Sequence, residues 1–538
     1  MPSSEFAIEH EGGPPMLADQ FAHWLSGTGI HCVLGVVLGM LIARAMRTHH
    51  LHWSWSAGAL ALLLVCEPSL PGQVSTLALA CLLASVRGRR WHREDLEAGA
   101  DLAELANARR TPLELLRPFV RLSCERVREM LRAKPWGHRG DLVLGVDEHG
   151  RPVSIPFGGS DGGSHALVVG ATGSGKTVTQ TSIADHAITE GMSVVVIDPK
   201  GDRGMREQLR NATIEAGRSF IEWTPDGERV YNPFSRGSAS EIADKVLAGE
   251  HFTEPHYLRQ AQRYLGHAVR ALRFAEIEVS LRAIVEQLDP TRLEALAREL
   301  PPAQADATFA YLDSLSTRQR SDLAGVRDRL AIVTESDVGP WLDPDTQGAG
   351  RFELLAAVRE RAVVYFSLQS DRRPLLSQML GAAIVQDLQT VVAASQSRPV
   401  PTLVVIDEFS AVAAEQVVRL FGRARSAGFS LLLGTQELSD LRPPGRERLL
   451  EQVLGNLSVL VAHRQVVPSS AELISSIAGT RGAWRVSRHS DGKATRTRGR
   501  EPVLDSGRVL SLQRGWAAIL VLDRGGSARV VRVFPPQR

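Results

Sequence analysis

The segment Gly170–Thr177, which reads GATGSGKT, constrains the fold of this chain more than any other part of its sequence. It follows the apolar residues Ala166–Val169 and opens a helical stretch over 177–190. The pattern GxxxxGK(S/T) between a strand and a helix is that of the phosphate-binding P-loop, whose glycines let backbone N–H groups close around a phosphate. We therefore predict a strand–loop–helix unit that binds the phosphates of a nucleotide.

The side chains of this loop predict the ligand more closely. Lys176 supplies positive charge for the β- and γ-phosphate oxygens, and the hydroxyl of Thr177 is a ligand for Mg²⁺. ATP and Mg²⁺ are therefore the expected cofactors. The predicted nucleotide-binding residues are Gly170, Ala171, Thr172, Gly173, Ser174, Gly175, Lys176 and Thr177.

A second motif supplies two carboxylates. The apolar run Leu403–Ile406 ends in Asp407 and Glu408. With a P-loop upstream, Asp407 is expected in the Mg²⁺ shell, and Glu408 is expected to act as general base on the attacking water. A carboxylate pair at a strand end can also be a polar turn, but this chain already contains a complete P-loop.

Three further polar residues are candidates for the hydrolytic step. Gln436 ends the apolar strand 431–433 and could sit between the γ-phosphate and Glu408 as a sensor. Arg425 precedes that strand, and Arg464 ends the next one. Either guanidinium could reach a neighbouring subunit's phosphate as an arginine finger. A solvated or salt-bridged arginine remains the alternative for both, because 62 residues are basic and only five of them are lysine.

Short apolar strands alternate with helical stretches through the main part of the chain, which predicts an α/β fold with a mostly parallel sheet. Residues 238–345 interrupt this alternation with charged, helically periodic sequence and predict an all-α insertion. The expected strands are Ala166–Val169, Ser193–Ile197, Ala362–Phe366, Thr402–Ile406, Ser430–Leu433 and Leu457–Val461, preceded by a hairpin at 142–156.

The N-terminal region is the most apolar part of the chain. Residues 21–43 contain no Asp, Glu, Lys or Arg, and 51–86 contain only Glu67 among these types. Such stretches are long enough to cross a bilayer. Arginines follow the first and the last apolar stretch, which by the positive-inside rule favours three spans with the N-terminus outside over two spans. Buried helices of a soluble domain are the alternative.

The net charge and the spacing of cysteines and histidines limit how this chain can bind nucleic acid and metals. The net charge is +2, so any contact with nucleic acid depends on local basic surfaces, such as 481–500 with seven Lys or Arg and one Asp. That segment could equally be a solvated loop. The four cysteines form no CxxC pair and the histidines form no metal-binding spacing, so no metal other than Mg²⁺ is expected.

These motifs carry a family resemblance. In order, GATGSGKT, VVVIDPKGD, VVIDEFS and GRARSAGFSLLLGTQ resemble the FtsK/HerA branch of P-loop motor ATPases. The apolar N-terminus, the Asn232-Pro233-Phe234 turn, the all-α insertion and the late GNLSVLVAHRQ are similar to type IV secretion coupling proteins of the TraD/TraG kind. The resemblance covers roughly residues 20–535.

The resemblance implies a RecA-like core, a homo-hexameric ring, and conjugative transfer of DNA, single-stranded and relaxase-bound, to a type IV secretion channel at the inner membrane. By the family pattern, Arg425 corresponds to the arginine that reaches into the neighbouring subunit and Gln436 to the sensor glutamine. Such proteins usually have two spans with the N-terminus inside, whereas the charges here favour three. An FtsK/HerA-like DNA translocase, a protein-exporting ATPase that never touches DNA, and a non-hydrolysing nucleotide switch remain alternatives, the last opposed by the complete Asp407–Glu408 pair.

The expected organisation has six parts, with a multi-pass membrane region and the ATPase domain in the cytoplasm. They are an N-terminal tail (1–20), a transmembrane region of two or three spans (21–93), a helical connector (94–140), the first part of the RecA-like domain (141–237), the all-α insertion (238–345) and the second part of the RecA-like domain (346–538).

Overall fold

A computed structural model describes most of the chain, and it divides into two compact units. One unit comprises residues 1–133 with 482–501, and the other comprises 134–481 with 502–538. The described residues are 17–48, 51–66, 72–97, 141–157, 163–225, 227–250, 252, 254–345, 350–412, 414–442, 448–488, 494–523 and 527–536. The predicted connector at 94–140 therefore lies almost wholly outside them, as does most of the predicted tail.

The larger unit is built on one eleven-stranded sheet with the order β2-β1-β15-β14-β11-β3-β10-β9-β4-β8-β5. Its strands are β1 (Asp141–Asp147), β2 (Pro152–Pro156), β3 (Ala166–Val169), β4 (Ser193–Asp198), β5 (Phe220–Trp223), β8 (Val363–Ser367), β9 (Thr402–Ile406), β10 (Phe429–Thr435), β11 (Val459–Ala462), β14 (Trp516–Val521) and β15 (Ser527–Val533). The shorter strands β6 (Arg229–Tyr231) and β7 (Gly350–Phe352) pair with each other. The strands β12 (Thr480–Arg488) and β13 (Ala494–Pro502), most of whose residues belong to the smaller unit, form a separate two-stranded sheet.

The strands from β11 to β5 are all parallel, whereas β14, β15, β1 and β2 extend the sheet in antiparallel fashion. The central strands β3, β4, β9 and β10 are buried along their whole length. Continuous apolar runs suit this position because helices cover both faces of a parallel sheet. The prediction of a mostly parallel α/β sheet is confirmed.

Helices cover both faces of this sheet. On one face α4 (Lys176–Thr189) and α5 (Arg203–Glu215) pack against Val194 and Val196, and on the other α13 (Pro374–Ser395) lies on the side of Val195 and Ile197. The remaining helices of this unit are α6 (Ala239–Leu247), α7 (Pro255–Phe274), α8 (Leu281–Gln287), α9 (Pro290–Arg298), α10 (Pro302–Asp313), α11 (Thr317–Thr334), α12 (Leu354–Arg359), α14 (Phe409–Val412), α15 (Ala414–Ala424), α16 (Leu449–Leu454), α17 (Pro468–Ala478) and α18 (Ser506–Leu510).

The helices α6–α11 occupy the segment that the sequence predicts as an all-α insertion. This segment connects β6 to β7, which pair with each other. A buried ion pair joins it to the core, because Lys245 Nζ on α6 lies 2.6 Å from Oδ1 of Asp387 on α13. The hydroxyl of Tyr231 donates to the other oxygen of Asp387 at 2.6 Å. A buried charge pair of this kind requires such complete partnering.

Within the described residues, the smaller unit contains the helices α1 (Leu17–Thr48), α2 (Ser54–Cys66) and α3 (Gly72–Glu97). Helices α1 and α3 run parallel, because later residues of α1 contact later residues of α3. His31 lies 2.9 Å from Thr76, and a Cβ on Gly39 would lie 3.0 Å from Leu83. Small residues bring the two backbones close, as small-xxx-small patterns do.

Length and composition alone qualify one helix within the described residues as a membrane span, and it is α13. Two-thirds of its apolar window is buried in the fold, which is typical of a core helix. The apolar stretches His31–Met46 in α1 and Ser54–Cys66 are shorter.

Candidate active site

The P-loop lies at the carboxyl end of β3 and is held by the two strands that flank it. The N–H of Gly170 donates to the carbonyl of Thr435 at 3.3 Å, and the N–H of Ala171 donates to the carbonyl of Arg464 at 3.1 Å. Gly173 and Gly175 have φ of 75° and 115°, a region that favours glycine. The loop can therefore curve tightly before α4 begins.

The loop has the features that a phosphate and Mg²⁺ require. Helix α4 begins with no side-chain cap on its free N–H groups, so these donors remain available for an anion. Among the described residues, Ser174 Oγ and Asp407 Oδ1 are buried without a hydrogen-bond partner. Orphaned polar atoms at such a place fit a site that binds a ligand. Thr177, half-buried, and Asp407 are the side chains that would hold the metal.

Asp407 and Glu408 follow β9, which lies two strands from β3. Lys176 Nζ lies 2.6 Å from Glu408 Oε1 and 3.8 Å from Asp407 Oδ1. Glu408 adopts φ of 44°, an unusual conformation for a residue with a Cβ. Such backbone strain is concentrated at functional sites. The structure thus brings together the P-loop lysine and both predicted carboxylates.

The surroundings of the two carboxylates shift their pKa values in opposite directions. Burial raises the pKa of Asp407, and the Lys176 charge only partly offsets this. Burial acts in the same sense on Glu408, but the hydrogen bond and charge of Lys176, the hydrogen bond of Gln436 and the charge of Lys200 outweigh it and lower its pKa. Glu408 is therefore ionised at neutral pH, as a general base must be.

Gln436 meets Glu408 directly. Its Nε2 donates to Glu408 Oε1 at 3.0 Å, and its Oε1 lies 3.5 Å from the hydroxyl of Thr172 in the P-loop. Gly434, two residues earlier, leaves room for other polar side chains of the site, because a Cβ there would lie 2.5 Å from Asp407 Oδ1 and 2.4 Å from Nε2 of the buried Gln180. The amide thus bridges the phosphate loop and the predicted base, the position that a sensor requires.

Sequence reasoning included Lys200 only within the family motif VVVIDPKGD and gave it no role in the site. Its Nζ lies 3.1 Å from Glu408 Oε1. The turn that carries it follows β4, the strand next to β9. The scarcity of lysine in the chain was a signal that could have directed attention to it.

His463 was also missed, although it directly follows β11. Its Nε2 lies 2.8 Å from Thr179 Oγ1, and its Nδ1 lies 3.1 Å from the carbonyl of Trp516. Burial lowers its pKa to about 4, and the charge of Lys176 acts in the same direction. A Cβ on Gly170 would lie 2.6 Å from the histidine's Cβ, so the ring packs directly beneath the P-loop.

The two candidate arginines occupy opposite ends of the parallel strands. Arg425 precedes β10, and its guanidinium donates to the carbonyl of Gly163 and to Ser458 Oγ, both at 3.2 Å. It therefore lies at the amino end of the sheet, away from the P-loop of its own chain. Arg464 follows β11 beside the P-loop, and its side chain is exposed.

A P-loop after β3 and a carboxylate pair after β9, with β10 between these strands, define the RecA-like class of P-loop proteins. The family model described as the type IV secretion-system coupling protein DNA-binding domain matches residues 152–501. The chain belongs to this family of coupling proteins.

A curated relative agrees with this assignment. The chain is 21% identical over 402 residues to the type 4 coupling protein DotL of Legionella pneumophila subsp. pneumophila (strain Philadelphia 1). The aligned region covers 61% of this chain and 51% of DotL. The chain thus spans about half the length of this relative.

Solved structures share the fold. The unbound conjugative coupling protein TrwBdeltaN70 has a TM-score of 0.56 at 18% identity over 76% of this chain and 91% of that chain. TrwB in complex with ADP and Mg²⁺ has a TM-score of 0.55 at 19% identity, covering 76% and 92%. VirB4 of Thermoanaerobacter pseudethanolicus has a TM-score of 0.51 at 14% identity, covering 74% and 97%.

Proposed function

We propose that this chain is a P-loop ATPase that couples a DNA or nucleoprotein substrate to a type IV secretion channel during conjugation. The convergence of Lys176, Asp407, Glu408 and Gln436 on one site carries the proposal. It is supported by TrwB, which shares the fold and has been solved with an ATP analogue and with ADP and Mg²⁺.

The side chains divide the work of hydrolysis. Lys176 and the backbone N–H groups of the P-loop bind and orient the phosphates. Mg²⁺ held by Thr177 and Asp407 would neutralise charge on the phosphate oxygens. Glu408 accepts the proton of the attacking water, and Gln436 holds that water between the base and the γ-phosphate. Positioning and charge stabilisation supply most of the catalysis of phosphoryl transfer.

DNA is the substrate that the family description favours, since the matching domain is named as DNA-binding. The basic segment 481–500 would contact the DNA backbone, which requires no sequence preference. The conjugative setting further suggests single-stranded, relaxase-bound DNA and a homo-hexameric ring. Protein export without DNA is the second candidate.

Membrane anchoring through the N-terminal helices is supported by their surface. Apolar side chains of α1 and α2 are exposed, including Val33 and Met40 at 64% and Val65 at 80%. Large apolar patches rarely face water, so a bilayer is a suitable environment. By helix rise, α1 is about 48 Å long and exceeds the ~30 Å hydrocarbon core, whereas α2 is about 20 Å long. Helix α3 is about 39 Å long, including its charged C-terminal part from Arg87 to Glu97.

The parallel pairing of α1 and α3 favours three passes over two. Two parallel spans require a return through the membrane between them, and α2 is the segment available for it. Parallel spans also place the N-terminus and the end of α3 on opposite sides. With the arginines in the C-terminal part of α3 placed in the cytoplasm, the N-terminus lies outside. This leaves the ATPase domain in the cytoplasm at the inner membrane.

DNA-stimulated hydrolysis tests the function. Phosphate release by the full-length protein should rise when single-stranded DNA is added, and the logarithm of DNA affinity should fall linearly with the logarithm of salt concentration. Hydrolysis without any DNA binding at low salt, together with binding of a secreted protein, would favour protein export. Lack of hydrolysis under all conditions would contradict the ATPase proposal.

Reporter fusions test the topology. A reporter fused to the N-terminus should be active outside the cell, and one inserted after Arg93 should be active in the cytoplasm. Two reporters on the same side would contradict three passes. Extraction of the chain by carbonate without detergent would contradict membrane spanning altogether.

A further inference from the structure

Three donors converge on a single oxygen of the predicted base. Glu408 Oε1 lies 2.6 Å from Lys176 Nζ, 3.0 Å from Gln436 Nε2 and 3.1 Å from Lys200 Nζ. The carboxylate is buried and its backbone is in the left-handed region. These three donors hold this oxygen in place.

ATP binding should affect the three contacts with Glu408 differently. Lys176 belongs to the P-loop, and phosphate oxygens compete with Glu408 for its ammonium group. Gln436 is neutral. In the described part of the chain, Lys200 is the other cation within 4 Å of this carboxylate. A buried carboxylate next to Asp407 needs such a cation, because like charges at close range repel and an unpaired buried charge is costly.

A rigid turn presents Lys200 to the site. Its N–H donates to Asp198 Oδ1 at 2.9 Å, and Asp198 is buried and also accepts from the hydroxyl of Tyr365. Gly201 follows with φ of 77°, and a Cβ there would lie 2.7 Å from Ser367 Oγ. The backbone is therefore fixed, while the half-exposed lysine side chain can follow the carboxylate.

The residue type supports the same conclusion. Only five of 62 basic residues are lysine, and the three that the structure describes each place the ammonium group on a buried carboxylate. Lys176 and Lys200 meet Glu408, and Lys245 meets Asp387. An ammonium is a compact point charge, whereas a guanidinium is a planar fork. A chain that otherwise uses arginine thus has lysine at its buried carboxylates, and at Glu408 two ammonium groups share one oxygen.

We propose that Lys200 is a positioning residue for hydrolysis: it holds Glu408 Oε1 in place once ATP has engaged Lys176. Lys200 acts through Glu408 and does not itself contact the phosphates. The inference rests on the proposed ATPase function and adds to it a residue outside both nucleotide-binding motifs.

The test separates turnover from nucleotide binding. In the full-length protein, Lys200→Met should lower kcat by at least tenfold, with the affinity for a non-hydrolysable ATP analogue unchanged within about twofold. Arg203→Met is the matched control, since this exposed residue three positions later removes the same charge. It should retain wild-type turnover. Lys200→Arg should recover part of the loss and also reports on folding if the methionine variant is unstable.

A double variant provides the decisive comparison. If Lys200 acts through Glu408, Lys200→Met should cause no further loss of single-turnover rate in a Glu408→Gln background. A further loss there, or weaker binding of the analogue by Lys200→Met alone, would overturn the inference in favour of a direct phosphate contact. Wild-type kcat in Lys200→Met would overturn it outright. Absence of hydrolysis by the wild-type protein would instead overturn the proposed function, and the inference with it.

Discussion

His463 Nε2 lies 2.8 Å from Thr179 Oγ1, so a histidine after β11 supports the first turn of the helix that begins in the P-loop. The direction of both bonds follows from chemistry. The carbonyl of Trp516 can only accept, so Nδ1 carries the proton, and Nε2 of the neutral ring accepts from the threonine hydroxyl. The nucleotide loop and strand β14 are thereby joined through one side chain.

Removal of this ring should weaken both folding and nucleotide binding. His463→Leu leaves the buried Thr179 hydroxyl and the half-buried Trp516 carbonyl without this partner, which should cost about 2–4 kcal/mol of unfolding free energy. Nucleotide affinity should fall because the P-loop loses its support. Thermal unfolding and nucleotide titration measure the two effects. His149→Leu, at an exposed turn, is the control and should change neither.

The same histidine predicts a pH dependence of stability. The pKa of His463 is about 4 in the folded protein and ~6.5 when unfolded, so the unfolded chain binds a proton first as pH falls. Stability should therefore decrease between about pH 6.5 and pH 4, by up to about 3 kcal/mol from this residue. Unfolding measured against pH should show a shallower decrease in His463→Leu than in wild type. Equal slopes would contradict the burial of a neutral ring. His165 and His267, with pKa values also lowered to about 4 by burial, contribute equally to both proteins.

Lys176 and Glu408 should fail in different ways. Lys176→Ala removes the positive charge that pairs with the phosphate oxygens, so nucleotide binding and turnover should both fall. Glu408→Gln keeps the shape but loses the base, so ATP should bind while turnover falls by about 10²–10⁴-fold. Nucleotide titration and phosphate release distinguish the two. Glu215→Gln, exposed on α5, is the control. Wild-type turnover in Glu408→Gln would exclude it as the base.

Arg425 should act only in trans. Strand β10 separates it from Gln436 by about 23 Å, so it cannot reach the P-loop of its own chain. Arg425→Ala and Lys176→Ala should each be nearly inactive, since a finger contributes about 10³-fold or more. Mixed at equal amounts with subunit exchange, they should recover up to about one quarter of the wild-type sites, as random neighbours in a ring predict.

The mixing experiment has a clear negative outcome. Activity that stays at the single-variant level, with mixed rings confirmed by differential tags, would exclude Arg425 as the trans finger. Arg464 would then be the next candidate, from its place beside the P-loop.

The buried ion pair of the helical insertion should be worth much more than a surface pair. Lys245→Met leaves the buried Asp387 carboxylate without its cation and should cost about 3–5 kcal/mol of unfolding free energy. Asp387→Leu added to it should recover part of this loss, because no buried charge remains. Arg298→Met, in the exposed pair with Glu294, is the control and should cost less than about 1 kcal/mol. Equal costs, measured by chemical denaturation, would contradict the buried pairing.

Local patterns predicted the chemistry of the site. The P-loop, the carboxylates after Thr402–Ile406 and the glutamine after the next strand each combine a hydrophobic run with polar residues at a fixed offset. Carboxyl ends of parallel strands meet at one edge of a sheet. Gln436 and Glu408 could therefore be expected near Lys176, and the structure places both within contact of one another. The trans role of Arg425 remains a prediction, since it depends on a neighbouring subunit.

The long-range contacts of other residues could not be predicted from local sequence. The order of strands in the sheet does not follow from their hydrophobicity, so nothing in the turn at Lys200 indicated that it would face Glu408. The same holds for His463, which a strand-end pattern would present as an ordinary polar turn. The parallel pairing of α1 and α3 likewise depends on which surfaces of the two helices pack together, and this is a tertiary contact.

The sequence by itself determined the α/β framework and the helical insertion, and it predicted a nucleotide-binding loop at Gly170–Thr177. These properties depend on the spacing of neighbouring residues, which the backbone geometry of a strand or helix converts directly into structure. Only the tertiary structure decided that Lys200 and His463 belong to the same site. Lys200 and Glu408 are 208 positions apart, and their contact exists only because β4 and β9 are adjacent in the sheet.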